Sequence, residues 1–198
     1  MIRELGTDGG GKCDLEIDEE TNEFRHAFIF PYACLKAVDF CKGFFSLDAC
    51  HLKGSTYGIG LCICTVDGEN QVLPMVYGVA AGTETKDIWV KLLTFFRDTI
   101  NDFYKDDADG TPAEVCIRTL VSDRGKGLVP ACQEVLPWAH HYHCIQHVAV
   151  NIGQQFGADA ERLFRRMPTE RSEVRLNAAI DEVRQIIGHA AAEYIEKL

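Results

Sequence analysis

The chain has 198 residues, with 20 Lys or Arg against 30 Asp or Glu and a net charge of −10. That length suits one main hydrophobic core, and the acidic balance excludes a segment that binds duplex DNA strongly by itself, because such affinity comes mostly from Lys and Arg on phosphates. Nine cysteines in no repeated spacing, with no apolar leader, speak against a disulfide framework and for a reducing compartment, and no apolar run reaches the roughly 18 to 20 residues of a membrane span.

Residues 1–23 are rich in Gly and acids and lack periodicity, which predicts a flexible amino-terminal segment. Phe24 to Phe30 reads as a short strand and Pro31 to Cys41 as a short helix. Next comes an apolar run, Phe44-Phe45-Ser46-Leu47-Asp48-Ala49-Cys50, which reads as a buried strand holding one carboxylate. Tyr57 to Val66 alternates Ile59, Leu61 and Ile63 with small residues, Asp67-Gly68-Glu69-Asn70 supplies turn chemistry, and Gln71 to Ala81 forms another apolar run. The three strands predict an antiparallel meander. Cys62 and Cys64 share one strand face and are assigned to core packing.

From Lys86 to Phe103 the period changes: Ile88, Trp89, Leu92, Leu93, Phe96, Ile100 and Phe103 recur at spacings of three and four, a helix with one broad apolar face. Trp89 is expected in the core, and Glu84 near the helix amino end, where its charge suits the dipole. A second strand, Val115 to Asp123, ends on a carboxylate. A helix from Gly127 to Leu136, a strand over Trp138 to Tyr142 and a helix from Cys144 to Phe156 follow, then an amphipathic helix from Thr169 to Leu198. From Thr111 to Leu198 ten Lys or Arg meet eleven acids, and Arg162, Arg165, Arg166, Arg171 and Arg175 cluster among Glu161, Glu170 and Glu173. A solvated helix face accounts for that cluster at least as well as a nucleic-acid groove.

A carboxylate on a buried strand is costly unless a positive partner offsets it, and two that meet suit hard divalent cations. Asp48 and Asp123 therefore point to metal-assisted phosphate chemistry. The bland reading makes Asp48 an edge-strand residue and Asp123 a helix cap. The order βββαβαβα fits an α/β fold of the RNase H-like kind, a mixed five-stranded sheet flanked by helices with a C-terminal helical extension. In that fold the first and fourth strands lie side by side and would bring the two aspartates together.

Leu47-Asp48-Ala49-Cys50-His51-Leu52-Lys53-Gly54, Glu84-Thr85-Lys86-Asp87-Ile88-Trp89, Val121-Ser122-Asp123-Arg124 and Cys144-Ile145-Gln146-His147 with Asn151, taken in order, resemble the core of a Mutator-like element (MULE) transposase. The resemblance spans residues 24–157, with 158–198 as a helical extension that begins an insertion region. It implies a DDE-type catalytic core with Asp48 and Asp123 as the first two acids, a two-metal Mg²⁺ or Mn²⁺ site, and DNA strand cleavage and strand transfer in the complete protein. It further implies DNA as partner, leaves room for a homo-oligomer, involves no membrane, and places the protein in the nucleus by function rather than by any signal. The family's third acid lies in a segment like Asn-x-x-Glu-x-x-Asn, which does not occur up to Leu198, so a partial core of weak or no activity is expected. The alternative is a domesticated, transposase-derived scaffold that binds or regulates without catalysis.

His51, Cys144 and His147 belong to the family motifs. Zinc is not expected at Cys144 and His147, because only one Cys-x-x-His pair is visible and zinc sites normally draw four ligands from two pairs. A structural pairing, a role in DNA handling or metal binding, and a thiol nucleophile stay open for them. Arg124 and Lys126, directly after Asp123, are candidates for a phosphate contact, with a plain surface role as the simpler account.

Overall fold

A computed structural model describes residues 2–4, 11–53, 57–105, 113–125 and 127–198. They divide into two compact units, Met1–Tyr142 and His143–Leu198. The first is a mixed α/β unit. Its strands are β1 (Ile2–Glu4), β2 (Lys12–Ile17), β3 (Phe24–Phe30), β4 (Cys41–His51), β5 (Gly58–Asp67), β6 (Val72–Ala81), β7 (Thr119–Ser122) and β8 (His140–His143). They form an eight-stranded sheet in the order β1-β2-β3-β6-β5-β4-β7-β8. The helices are α1 (Tyr32–Ala37), α2 (Lys86–Tyr104), the single turn α3 (Ala113–Cys116) and α4 (Leu128–Val135).

The meander forms because β5 obeys a strict period of two. Ile59, Leu61, Ile63 and Thr65 are buried while Gly60, Cys62 and Cys64 point the other way. The turn after β5 is closed by Asp67, whose Oδ1 accepts from the backbone N–H groups of Glu69 and Gln71, and Asn70 adopts φ 64°. Thr85 caps α2 by accepting from Ile88 N–H, and the helix buries Trp89, Leu92, Leu93, Phe96 and Ile100 against one face of the sheet. Each such side chain contributes roughly 1.5–3 kcal/mol. Phe96 meets Phe45 edge-on at 5.1 Å between ring centroids.

Four expectations are corrected. The amino-terminal segment is not loop throughout: Lys12–Ile17 is a strand paired antiparallel with β3, since its alternation of Lys12, Asp14 and Glu16 with Cys13, Leu15 and Ile17 is a strand pattern that the acids obscured. Together with β1 and β3 it widens the sheet to eight strands where five were expected. The strand before Asp123 is only Thr119–Ser122, because Val115 and Cys116 belong to the turn α3. The last helix is two, Glu173–Ile186 and His189–Glu196, broken at Gly188 with φ 125°.

The second unit is helical. It comprises α5 (Ile145–Phe156), α6 (Ala158–Phe164), α7 (Glu173–Ile186) and α8 (His189–Glu196). Its own small core contains Val148, Ile152, Leu163, Val183 and Ala192. Much of the basic cluster is locally paired: Arg162 with Asp159, Arg165 with Glu161 and Arg166 with Glu182. Among the described residues, no helix is long and apolar enough to cross a membrane.

Candidate active site

β4 and β7 run parallel, in a register that pairs Phe45 with Leu120, Ser46 with Val121 and Leu47 with Ser122. Asp48 is the next residue of β4, and Asp123 directly follows β7. Adjacent strands lie about 4.8 Å apart, so the two carboxylates start within reach of a common ligand. Asp48 is exposed, which corrects the expectation of a buried carboxylate. The run around it alternates, with Phe45 and Leu47 directed into the core and Ser46 and Asp48 away from it. Water can therefore solvate the Asp48 charge, and no buried positive partner is required.

Asp123 is half-buried at the end of β7 and its position is fixed locally. Its Oδ1 accepts from Gly125 N–H at 2.9 Å. Its carbonyl accepts from Ser122 Oγ at 2.6 Å, and Ser122 Oγ is 2.8 Å from His141 Nε2 on β8. A hydroxyl has one proton to give, so with that proton on the Asp123 carbonyl, His141 Nε2–H is the donor to Ser122. Asp48 Oδ1 accepts from Ala49 N–H at 2.9 Å.

A third carboxylate stands beside Asp123. A methyl group at Gly125 would lie 3.0 Å from Asp123 Oδ1 and 3.1 Å from Glu84 Oε1, so both carboxylates stand close against this glycine and would have to give way to a side chain there. Glu84 is held by Trp89, whose indole Nε1–H donates to Glu84 Oε1 at 2.7 Å. The loops carrying Glu84 and Asp123 touch backbone to backbone: a methyl at Gly127 would be 2.6 Å from Lys86 N. The ion pair of Lys86 with Glu134 at 2.6 Å joins α2 to α4 and raises the Lys86 pKa. Sequence reading placed Glu84 at the α2 amino end but not beside Asp123. The available signal was Gly125 and Gly127, two and four positions after an acid.

The remaining candidates are dispersed. His51 is exposed at the end of β4 and pairs with Ile59. Arg124 is half-buried next to Asp123, and Lys126 lies outside the described residues. Cys144 and His147 belong to the second unit. Cys144 is the N-cap of α5 rather than part of it, and His147 Nδ1 is buried without a hydrogen-bond partner. Among the described residues no group of three His, Cys, Asp or Glu side chains is placed to hold a metal ion.

Cys62 and Cys64 are half-buried on the face of β5 away from the core, where core packing was expected. Their sulfurs are 3.3 Å apart. The contact between the thiols raises the pKa of Cys62 and lowers that of Cys64. Burial pushes Cys132, in the core, up to about 12. None of the nine cysteines is in a disulfide.

The profile of the MULE transposase domain family matches residues 44–151, more than half of the chain, and spans both aspartates, Glu84 and the Cys144/His147 pair. The chain belongs to the MULE transposase domain family and has a transposase-related function. No curated protein matches the sequence.

Proposed function

We propose that this domain is the catalytic-core portion of a Mutator-like DNA transposase, an RNase H-like DDE domain acting in DNA strand cleavage and strand transfer in the nucleus. The observation that carries the reading is the parallel β4·β7 register, which makes Asp48 and Asp123 neighbours inside the segment matched by the family. The strand order β6-β5-β4-β7-β8, with an antiparallel meander followed by a parallel neighbour, supports the RNase H-like assignment.

The donor set fits a hard divalent cation. Asp48 and Asp123 offer carboxylate oxygens, and Glu84 and Asp123 both stand close to Gly125. Asp48 and Asp123 are the residues that would hold Mg²⁺ or Mn²⁺. Such ions, when bound, activate the attacking oxygen and stabilise the leaving one in displacement at phosphorus. The chain's own contribution is orientation. His141 and Ser122 fix the carbonyl of Asp123, Gly125 N–H fixes its side chain, and Trp89 fixes Glu84. Arg124 is the proposed phosphate contact, with Lys126 beside it in the sequence. Transposon-end and target DNA are the proposed substrates.

Fe²⁺ placed in the site with peroxide and ascorbate should cut the polypeptide near Asp48 and Asp123, and the cuts should disappear in Asp48→Asn and Asp123→Asn. Cuts that persist in both variants would overturn the site. The second reading, a non-catalytic scaffold, draws on the lack of a three-residue metal cluster among the described residues. It predicts that DNA binding by the domain is indifferent to either substitution.

A further inference from the structure

The outward side of β5 carries a feature that the proposed chemistry does not use. Residues i and i+2 of a strand stand roughly 6.6 Å apart along it, yet Cys62 Sγ and Cys64 Sγ are 3.3 Å apart. Their side chains lean together where the β5·β6 register shifts between Ile63 and Cys64. The extra residue at that shift is Met75 on β6.

Two chemistries compete for such a pair. A disulfide needs sulfurs about 2.05 Å apart and α-carbons normally no more than about 6.8 Å apart, so neighbours on one extended strand sit at the limit and the backbone would have to contract. Chelation asks less. A tetrahedral ion with metal–sulfur bonds near 2.3 Å wants its two sulfurs about 3.8 Å apart, an opening of roughly half an ångström that side-chain torsions can supply.

We propose that Cys62 and Cys64 form a chelating dithiol for a thiophilic divalent cation of the zinc type, held by two thiolates and solvent and so distinct from the four-ligand structural site that Cys144 and His147 do not make. Cys62 is paired across the strands with Asp48 on one side and Tyr77 on the other, and Cys64 with Ser46 and Pro74. Each thiol gives up its proton to solvent as its sulfur bonds the metal, and water completes the coordination. Soft sulfur and hard carboxylate oxygen sort the ions, so the dithiol takes zinc-like ions while Asp48 favours Mg²⁺ or Mn²⁺. A cation on Cys62 places positive charge next to Asp48 and lowers Mn²⁺ affinity there. That consequence rests on the proposed function; the dithiol site does not.

The test is a Cd²⁺ titration of the reduced full chain, followed by sulfur-to-cadmium charge-transfer absorption. Wild type should show one tight equivalent. Loss of either thiol removes the chelate advantage, so Cys62→Ser and Cys64→Ser should each weaken that phase by about 100-fold or more, and Cys13→Ser should leave it unchanged. Circular dichroism identifies any variant that fails to fold, and the other serine variant then decides. A tight phase absent from wild type, or surviving in a folded serine variant, would overturn the proposal. Asp48→Asn should keep the tight Cd²⁺ phase however its Mn²⁺ binding behaves, so the two assignments can fail separately.

Discussion

The two faces of the β4–β6 meander carry opposite chemistry on the same strands. Toward α2 stand Phe45, Leu47, Ile59, Leu61 and Ile63, all buried against Trp89, Leu92 and Phe96. Away from it stand Ser46, Asp48, Cys62, Cys64 and Tyr77, half-buried or exposed. Because a strand alternates, one rigid element can be core on one side and reactive on the other. The lesson is that the closed face fixes the backbone on which Asp48 is held, so stability and site geometry respond to different substitutions on neighbouring residues.

The largest effect should come from breaking the closed face. Trp89→Ala removes a side chain with no solvent exposure and also strips Glu84 of its indole donor, and should cost about 3–5 kcal/mol in denaturant unfolding. Trp89→Phe separates the two roles: it should recover most of the stability without restoring the hydrogen bond. Gly127→Ala comes next, since its new methyl would meet the Lys86 backbone. A cost of about 1–3 kcal/mol is expected, with Mn²⁺ affinity reduced because the Glu84 and Asp123 loops must part.

The open face should behave in the contrary sense. Asp48→Asn removes one of two adjacent carboxylates and should raise stability by roughly 0.5–1 kcal/mol while removing metal binding, the expected trade at a functional site. A fall in the melting temperature would show that Asp48 is structural. Thiol reactivity sharpens the contrast further. Near neutral pH, the Cys64 thiol, lowered by its contact with Cys62, should alkylate well before Cys132, held up near 12 by burial, as read by peptide mass mapping.

The smallest effect concerns the sheet edge. Lys91 forms an ion pair with Glu16 on β2 and holds that carboxyl below its usual range. A lowered folded pKa gives stability that is present above the unfolded carboxylate pKa and lost as pH falls through the folded value. Both side chains are nearly half exposed, so Lys91→Met should cost less than about 1 kcal/mol at neutral pH and flatten the acid limb of the stability curve.

Much of this arrangement was legible in the sequence. The 3.6-residue period over Lys86 to Phe103 gave α2, and the alternation of Ile59, Leu61 and Ile63 gave β5, because burial on one face imposes those periods. The side-by-side placement of Asp48 and Asp123 required a topology, which local pattern does not contain and the family resemblance supplied. What escaped were interactions set by tertiary approach. Gly127 packing on Lys86, which brings Glu84 to Asp123, leaves no periodic trace. The lean of Cys62 toward Cys64 occurs beside a register shift against β6, which the sequence does not mark. The exposure of Asp48 was readable from Phe45 and Leu47 as the inward pair, but five apolar residues around it made the whole run look buried. Gly188 stood in plain view inside the last amphipathic stretch, where φ 125° ends one helix before the next begins.

If Asp48 and Asp123 share one cation site, calorimetric titration of Mn²⁺ into the purified chain will show it. Binding in the wild type that is lost in both Asp48→Asn and Asp123→Asn, with Cys64→Ser unaffected, is the predicted result. No binding in the wild type, or binding that neither aspartate variant changes, would contradict it.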